Sequence, residues 1–243
     1  MIGGFIISGS APKKVAIRGL GPSLGNFGLG DLLADPTLEL RASDGALLGQ
    51  NNNWQDNAFQ EAQLDALDLA LPHPNESGIV AILEPGAYTA LLSGNSQTSG
   101  IALVEIYDAD GTVASKLANI STRGFIRPGD NVMIGGFILG NSGTNTNVIV
   151  RGIGPSLSQL GLNNVLADPT LELRDSNGAL LVANDNWQDN SLSAPKLMAR
   201  GLAPSRPEES GIFASLPPGA YTAILTGKNG QIGLGLVEVY NVQ

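Results

Sequence analysis

Two short polar loops hold the residues best suited to chemistry. One reads Asn51-Asn52-Asn53-Trp54-Gln55-Asp56-Asn57, the other Asn184-Asp185-Asn186-Trp187-Gln188-Asp189-Asn190. Calcium takes six to eight oxygens from carboxylates, amides and carbonyls. Asn51, Asn53, Asp56 and Glu76 could supply such a set in the first loop, and Asn184, Asp185, Asn186, Asp189 and Glu209 in the second. Neither loop is an EF-hand, because the glycine at the sixth position and the glutamate at the twelfth are missing. The same residues also have a purely structural use: Asn and Asp cap turns and tolerate left-handed backbone, while the tryptophan packs over the end of a sheet. Both readings stay open on sequence.

The remaining candidates are weaker. GLGPSLGNFGLG (19–30) has the glycines of a phosphate loop, yet Pro22 interrupts it and no long helix follows. It reads as a wide crossing between strands. Arg18 and Arg151 lie at strand ends, and Glu39, Glu105, Glu172 and Glu238 lie mid-strand. Arg–Glu pairs across a sheet would satisfy them. Paired glycosidase carboxylates would also need an aromatic cleft, and aromatics make up 5% of the chain. The one histidine, His73, sits in a proline-flanked loop, and no serine occupies a nucleophile elbow. The sequence reads as a non-enzyme.

Behind these loops stands a duplication. Residues 15–107 and 148–240 align without a gap at an offset of 133, with more than half of the positions identical. LADPTLELR (33–41 and 166–174), ESGI (76–79 and 209–212) and PGAYTA (85–90 and 218–223) recur unchanged. That length suits a whole small domain rather than a solenoid unit. TLELR alternates apolar and polar residues at the period of a half-buried strand. Asp44-Gly45 and Asn177-Gly178 are hairpin signals. Seven strands are expected per copy, near 2–8, 14–19, 37–42, 46–50, 78–83, 87–93 and 100–107 in the first. A short helix is expected at 58–70 and again at 191–202, where the copies diverge most. The fold class is all-β: two tandem antiparallel β-sandwich, jelly-roll-like modules. The expected domains are 1–110, a linker and shared strand at 111–131, and 132–243.

One segment breaks the symmetry. LANISTRGFIRPGDN (117–131) precedes the second IGGFI and reads as a strand plus a Pro-Gly turn, and nothing equivalent precedes the first. One module is therefore expected to be a strand short, with an edge open to strands of other chains. A piece of a longer tandem array would look the same. Met1 aligns with Met133, so the chain is expected to begin inside a module.

Composition narrows the rest. The formal charge is −9, with 13 Lys+Arg and no basic cluster, which speaks against nucleic acid as a partner. With no cysteine, thiolate metal sites and disulfides are excluded. No 18-residue apolar run is present, so no membrane-spanning helix is expected. The expected function is a structural subunit of a surface assembly or filament, with copies of itself as partners and strands donated between chains. The alternative is an accessory module that binds polysaccharide or a cell surface, using Trp54 and Trp187 as an exposed platform.

Taken together, LANISTRGF, GGFI, VRGIGPSL, LADPTLEL, NDNWQDN, PGAYTAIL and GLVEVY resemble a repeat module of large secreted bacterial proteins. LELRDSNGALLVANDNW (171–187) with PGAYTAIL (218–225) is also distantly similar to the bacterial pre-peptidase C-terminal domain. That family is a jelly-roll sandwich appended to secreted proteases, and some members bind calcium. The resemblance implies an extracellular location, a structural or accessory role and no catalysis. Its calcium role maps onto Asn184, Asp185, Asn186 and Asp189, whereas the first copy has Asn52 in place of Asp185.

Overall fold

The repeated TLELR segment becomes a strand whose apolar residues all face one way. Leu38, Leu40, Leu171 and Leu173 are at most 1% exposed, and the intervening Thr, Glu and Arg lie at the surface side. Burying each leucine contributes about 1.5–3 kcal/mol. The next turn follows from Asp-Gly and Asn-Gly, since Gly45 and Gly178 take φ of 87° and 79°, where a side chain would be strained.

The computed structural model describes residues 1–129, 131–140 and 143–242. The chain divides into two compact units, Met1–Ala118 and Asn119–Gln243. The first contains β1 (Ile2–Ser8), β2 (Lys13–Leu20), β3 (Pro36–Ala42), β4 (Leu47–Asn51), α1 (Ala58–Ala66), β5 (Ser77–Leu83), β6 (Gly86–Gly94) and β7 (Leu103–Asp108). Its strands pair antiparallel in the orders β1-β6-β3-β4 and β5-β2-β7. The second contains β8 (Lys116–Ile126), β9 (Met133–Leu139), β10 (Thr146–Ile153), β11 (Pro169–Asp175), β12 (Leu180–Asn184), α2 (Ala194–Ala199), β13 (Ser210–Leu216), β14 (Gly219–Gly227) and β15 (Gly233–Asn241). Here the orders are β9-β14-β11-β12 and β13-β10-β15-β8, again antiparallel. The all-β, sandwich-like reading therefore holds. β8 begins three residues before the division, and its residues from Asn119 onward belong to the second unit.

Each sandwich carries a second, smaller core outside the sheet. Trp54, Leu64, Leu71 and Val80 form it in the first unit, and Ile149, Trp187, Ala194 and Leu197 in the second. The helices are seated there because glycines let them approach: a Cβ on Gly78 would lie 2.6 Å from Leu64 Cδ1, and one on Gly211 would lie 2.4 Å from Leu197 Cδ2. Asn57 caps α1 by accepting from the amides of Phe59 and Gln60. The divergence between the copies at this point changes the helix surface and leaves its buried leucine in place.

One expected strand is shorter than its sequence suggests. The segment 100–107 becomes a strand from Leu103 only, whereas its counterpart starts at Gly233. The reason is pairing. Within β15, residues 236–241 pair with β10, while residues 233–235 pair only with β8. Among the described residues no counterpart of β8 lies against residues 100–102, and Ile101 is left with an isolated parallel bridge to Leu32.

Candidate functional site: the polar loops and the flank of β7

The polar loops are wired for structure. Asn51 Oδ1 accepts from the Gly78 amide at 2.9 Å, and its Nδ2 donates to the Asn53 carbonyl. Asn184 repeats both bonds with Gly211 and Asn186. Asn53 Nδ2 donates to Asp56 Oδ2, and Asn186 Nδ2 to Asp189 Oδ2. Glu76 and Glu209 are fully buried and point elsewhere. Glu209 Oε1 accepts from the amides of Gly154 and Ser156 and from Ser156 Oγ at 2.6 Å, and Glu76 does the same with Gly21 and Ser23. Among the described residues, no three His, Asp or Glu side chains are placed to hold one metal ion. The glycine-rich loop thus grips a carboxylate of its own chain. Its amides converge as they would on a phosphate, and the glutamate occupies that point. Close approach explains the glycine here, since a Cβ on Gly21 would lie 2.0 Å from the Leu33 carbonyl oxygen.

Asp185 has a separate role. Its Oδ2 accepts from Lys228 Nζ at 2.5 Å, and the same ammonium lies 3.4 Å from Asp168. The first unit replaces this ion triad by amides: Asn95 Nδ2 donates to Asp35 Oδ2 at 2.8 Å, with Asn52 in place of Asp185. The exchange Asn52/Asn95 for Asp185/Lys228 leaves the net charge of the cluster unchanged. Sequence reading missed it because the partners are 43 residues apart.

The Arg–Glu pairing across the sheet is present in both units. Arg18 Nε donates to Glu105 and Arg151 Nε to Glu238, each at 2.8 Å. Glu39 and Glu172 pair instead with Arg41 and Arg174, two residues along the same strand. Arg151 also donates to Tyr240 Oη at 3.2 Å and lies over its ring. Burial, then the neighbouring Glu238 carboxylate, push the Tyr240 hydroxyl up to about 12, with Arg151 opposing. The folded state prefers the neutral phenol, so this contribution to stability is complete below pH 10 and is lost as pH rises through about 12. Absorbance titration should show a tyrosine step near pH 12, and Tyr240→Phe should remove that late step.

Trp54 and Trp187 are 7% and 8% exposed, inside the small outer cores. They form no exposed aromatic platform.

What distinguishes the two units is the flank of β7. In the second unit β8 lies along β15, and Val237 and Val239 are 1% and 6% exposed. Among the described residues no strand lies along the outer side of β7. Its equivalent residues Val104 and Ile106 are only half-buried, and Leu103 is 39% exposed. The other free edges of this unit are protected. β4 is five residues long and carries a register shift in its pairing. The outer side of β5 is capped by Gln60, whose Oε1 accepts from the Val80 amide and whose Nε2 donates to the Val80 carbonyl. Natural edges are blunted in such ways. β7 has no proline or lysine, and its charges are already engaged: Glu105 with Arg18, and Asp108 with the buried Lys13 at 2.8 Å.

No family model matches the chain, and no curated protein matches it. Three solved structures align over most of its length. One is described as the atomic structure of Sulfolobus Turreted Icosahedral Virus, at 12% identity over 98% of this chain and 85% of that one, with a TM-score of 0.32. A putative secreted protein from Eubacterium rectale aligns at 8% identity over 97% and 68% of the two chains, with a TM-score of 0.23. The VP2 subviral particle of infectious bursal disease virus aligns at 10% identity over 95% and 58%, with a TM-score of 0.22. At these TM-scores none supports an argument about what the chain does.

Proposed function

We propose that this chain is a non-catalytic structural protein of an extracellular assembly, joined to neighbouring molecules by β-strand addition along β7. One observation carries the reading: among the described residues the two copies of the same sandwich differ in a single strand, and the flank of β7 is apolar and unpaired. The residues that suggested chemistry support a structural role as well. The buried glutamates tie down turns, the Arg–Glu pairs lie within one sheet, and the tryptophans are interior. Extracellular placement follows from the resemblance to secreted repeat modules and belongs to the proposal.

Light scattering behind size exclusion tests it. The mass should exceed the 25.0 kDa of one chain and rise with concentration. Leu103→Lys, which places a charge on the exposed edge, should return it to 25.0 kDa while the melting profile stays cooperative. A wild-type mass fixed at 25.0 kDa across the concentration range would contradict the proposal.

A further inference from the structure

We infer that the flank of β7 is a slot for a strand of the leading-strand type of this repeat, laid antiparallel as β8 is laid on β15. This rests on the assembly reading above and names its partner. The second unit supplies the template. There Gly233 stands opposite Ile126, Val237 opposite Thr122, Val239 opposite Ile120 and Tyr240 opposite Asn119. The 133-residue offset transfers that register to the first unit. Thr122 of an incoming strand then meets Val104, Ile120 meets Ile106, Arg123 meets Leu103 and Ser121 meets Glu105.

The chemistry of the occupant follows from what β8 does at home. Ile126 is 1% exposed and belongs to the second unit's core, and Ile120 packs against the same core. Gly124 lets the end of the Met133 side chain lie over the strand, 2.7 Å from where a Cβ would stand. A strand that closes the slot therefore alternates branched and small residues inward (Ile120, Thr122, Gly124, Ile126) with Ser121, Arg123 and Phe125 on the other face. The slot on β15 holds β8, and among the described residues the slot on β7 holds no strand.

The two slots are not identical, which gives the prediction its specificity. Ala102 stands where the second unit has Gly235, and a Cβ at Gly235 would lie 2.5 Å from Ile126 Cδ1. An occupant of the first slot is therefore favoured by valine rather than isoleucine at the place of Ile126.

The test titrates the full chain with a synthetic peptide of residues 117–126, the same peptide carrying Ile126→Val, and a scrambled control, read by amide exchange and mass spectrometry. Amides of 103–107 should gain about tenfold or more protection at saturation. One peptide should bind per chain, the valine form more tightly, with β15 unchanged and the scrambled peptide inert. Unchanged exchange at 103–107, equal binding of the scrambled peptide, or displacement of β8 from β15 would each overturn the inference. The two readings fail separately. A chain that self-associates along β7 but ignores the peptide loses the leading-strand slot and keeps assembly. A chain that takes the peptide yet stays at 25.0 kDa at every concentration without it keeps the slot and loses assembly.

Discussion

Glu209→Ala is expected to lower the stability of the second unit by about 3–5 kcal/mol. Its carboxylate is fully buried and receives three donors at one oxygen: the Gly154 amide, the Ser156 amide and the Ser156 hydroxyl. The other oxygen accepts from the Arg206 amide at 3.3 Å. Alanine removes every acceptor at once and leaves buried amides unmet, each costing about 1–3 kcal/mol. It also frees the turn starting at Pro155, which is held against the Leu166 carbonyl at Gly154. In a Trp54→Phe background, Trp187 fluorescence during denaturant unfolding reads the second unit alone. A loss below about 1 kcal/mol would show that the glutamate is not the tie the geometry indicates.

The second large effect concerns the strand present in only one unit. Ile126→Ala should cost the second unit about 2–5 kcal/mol, because the side chain is 1% exposed in a core with Val237, Val239 and Leu225. The paired control is more telling. Val237→Ala should cost clearly more than Val104→Ala, although the two valines hold identical places in the repeat, because Val237 is covered by β8 and Val104 is half-exposed. Equal losses would mean that the flank of β7 is covered after all.

Much of the fold was legible because its signals are local. The alternation of TLELR, the Asp-Gly and Asn-Gly turns and the branched runs each act within a few residues, and every expected strand formed. The shortening of 100–107 to Leu103–Asp108 was not legible, since residues 100–102 become strand only if a distant segment pairs with them. The wiring of the polar loops was hidden for a related reason. Asn51, Asn53 and Asp56 look like a ligand set in a row, yet their bonds go to Gly78 and to one another. Glu76 and Glu209 were singled out from the sequence for the loop beside them, but they serve the glycine turn 53–55 residues earlier. Gln60 was invisible as an edge cap because its partner, Val80, lies on another element. The unequal strand count of the two described units was legible, because 117–126 occurs once beside two copies of the rest.

Residue-resolved amide exchange on the dilute chain tests the central claim most directly. β7 and β15 have nearly the same sequence and pair identically with β2 and β10. The account predicts that amides on the free side of β7 exchange orders of magnitude faster than their counterparts in β15, and that they slow when the chain is concentrated or given the leading-strand peptide. Protection of β7 equal to that of β15 in the dilute monomer would contradict it.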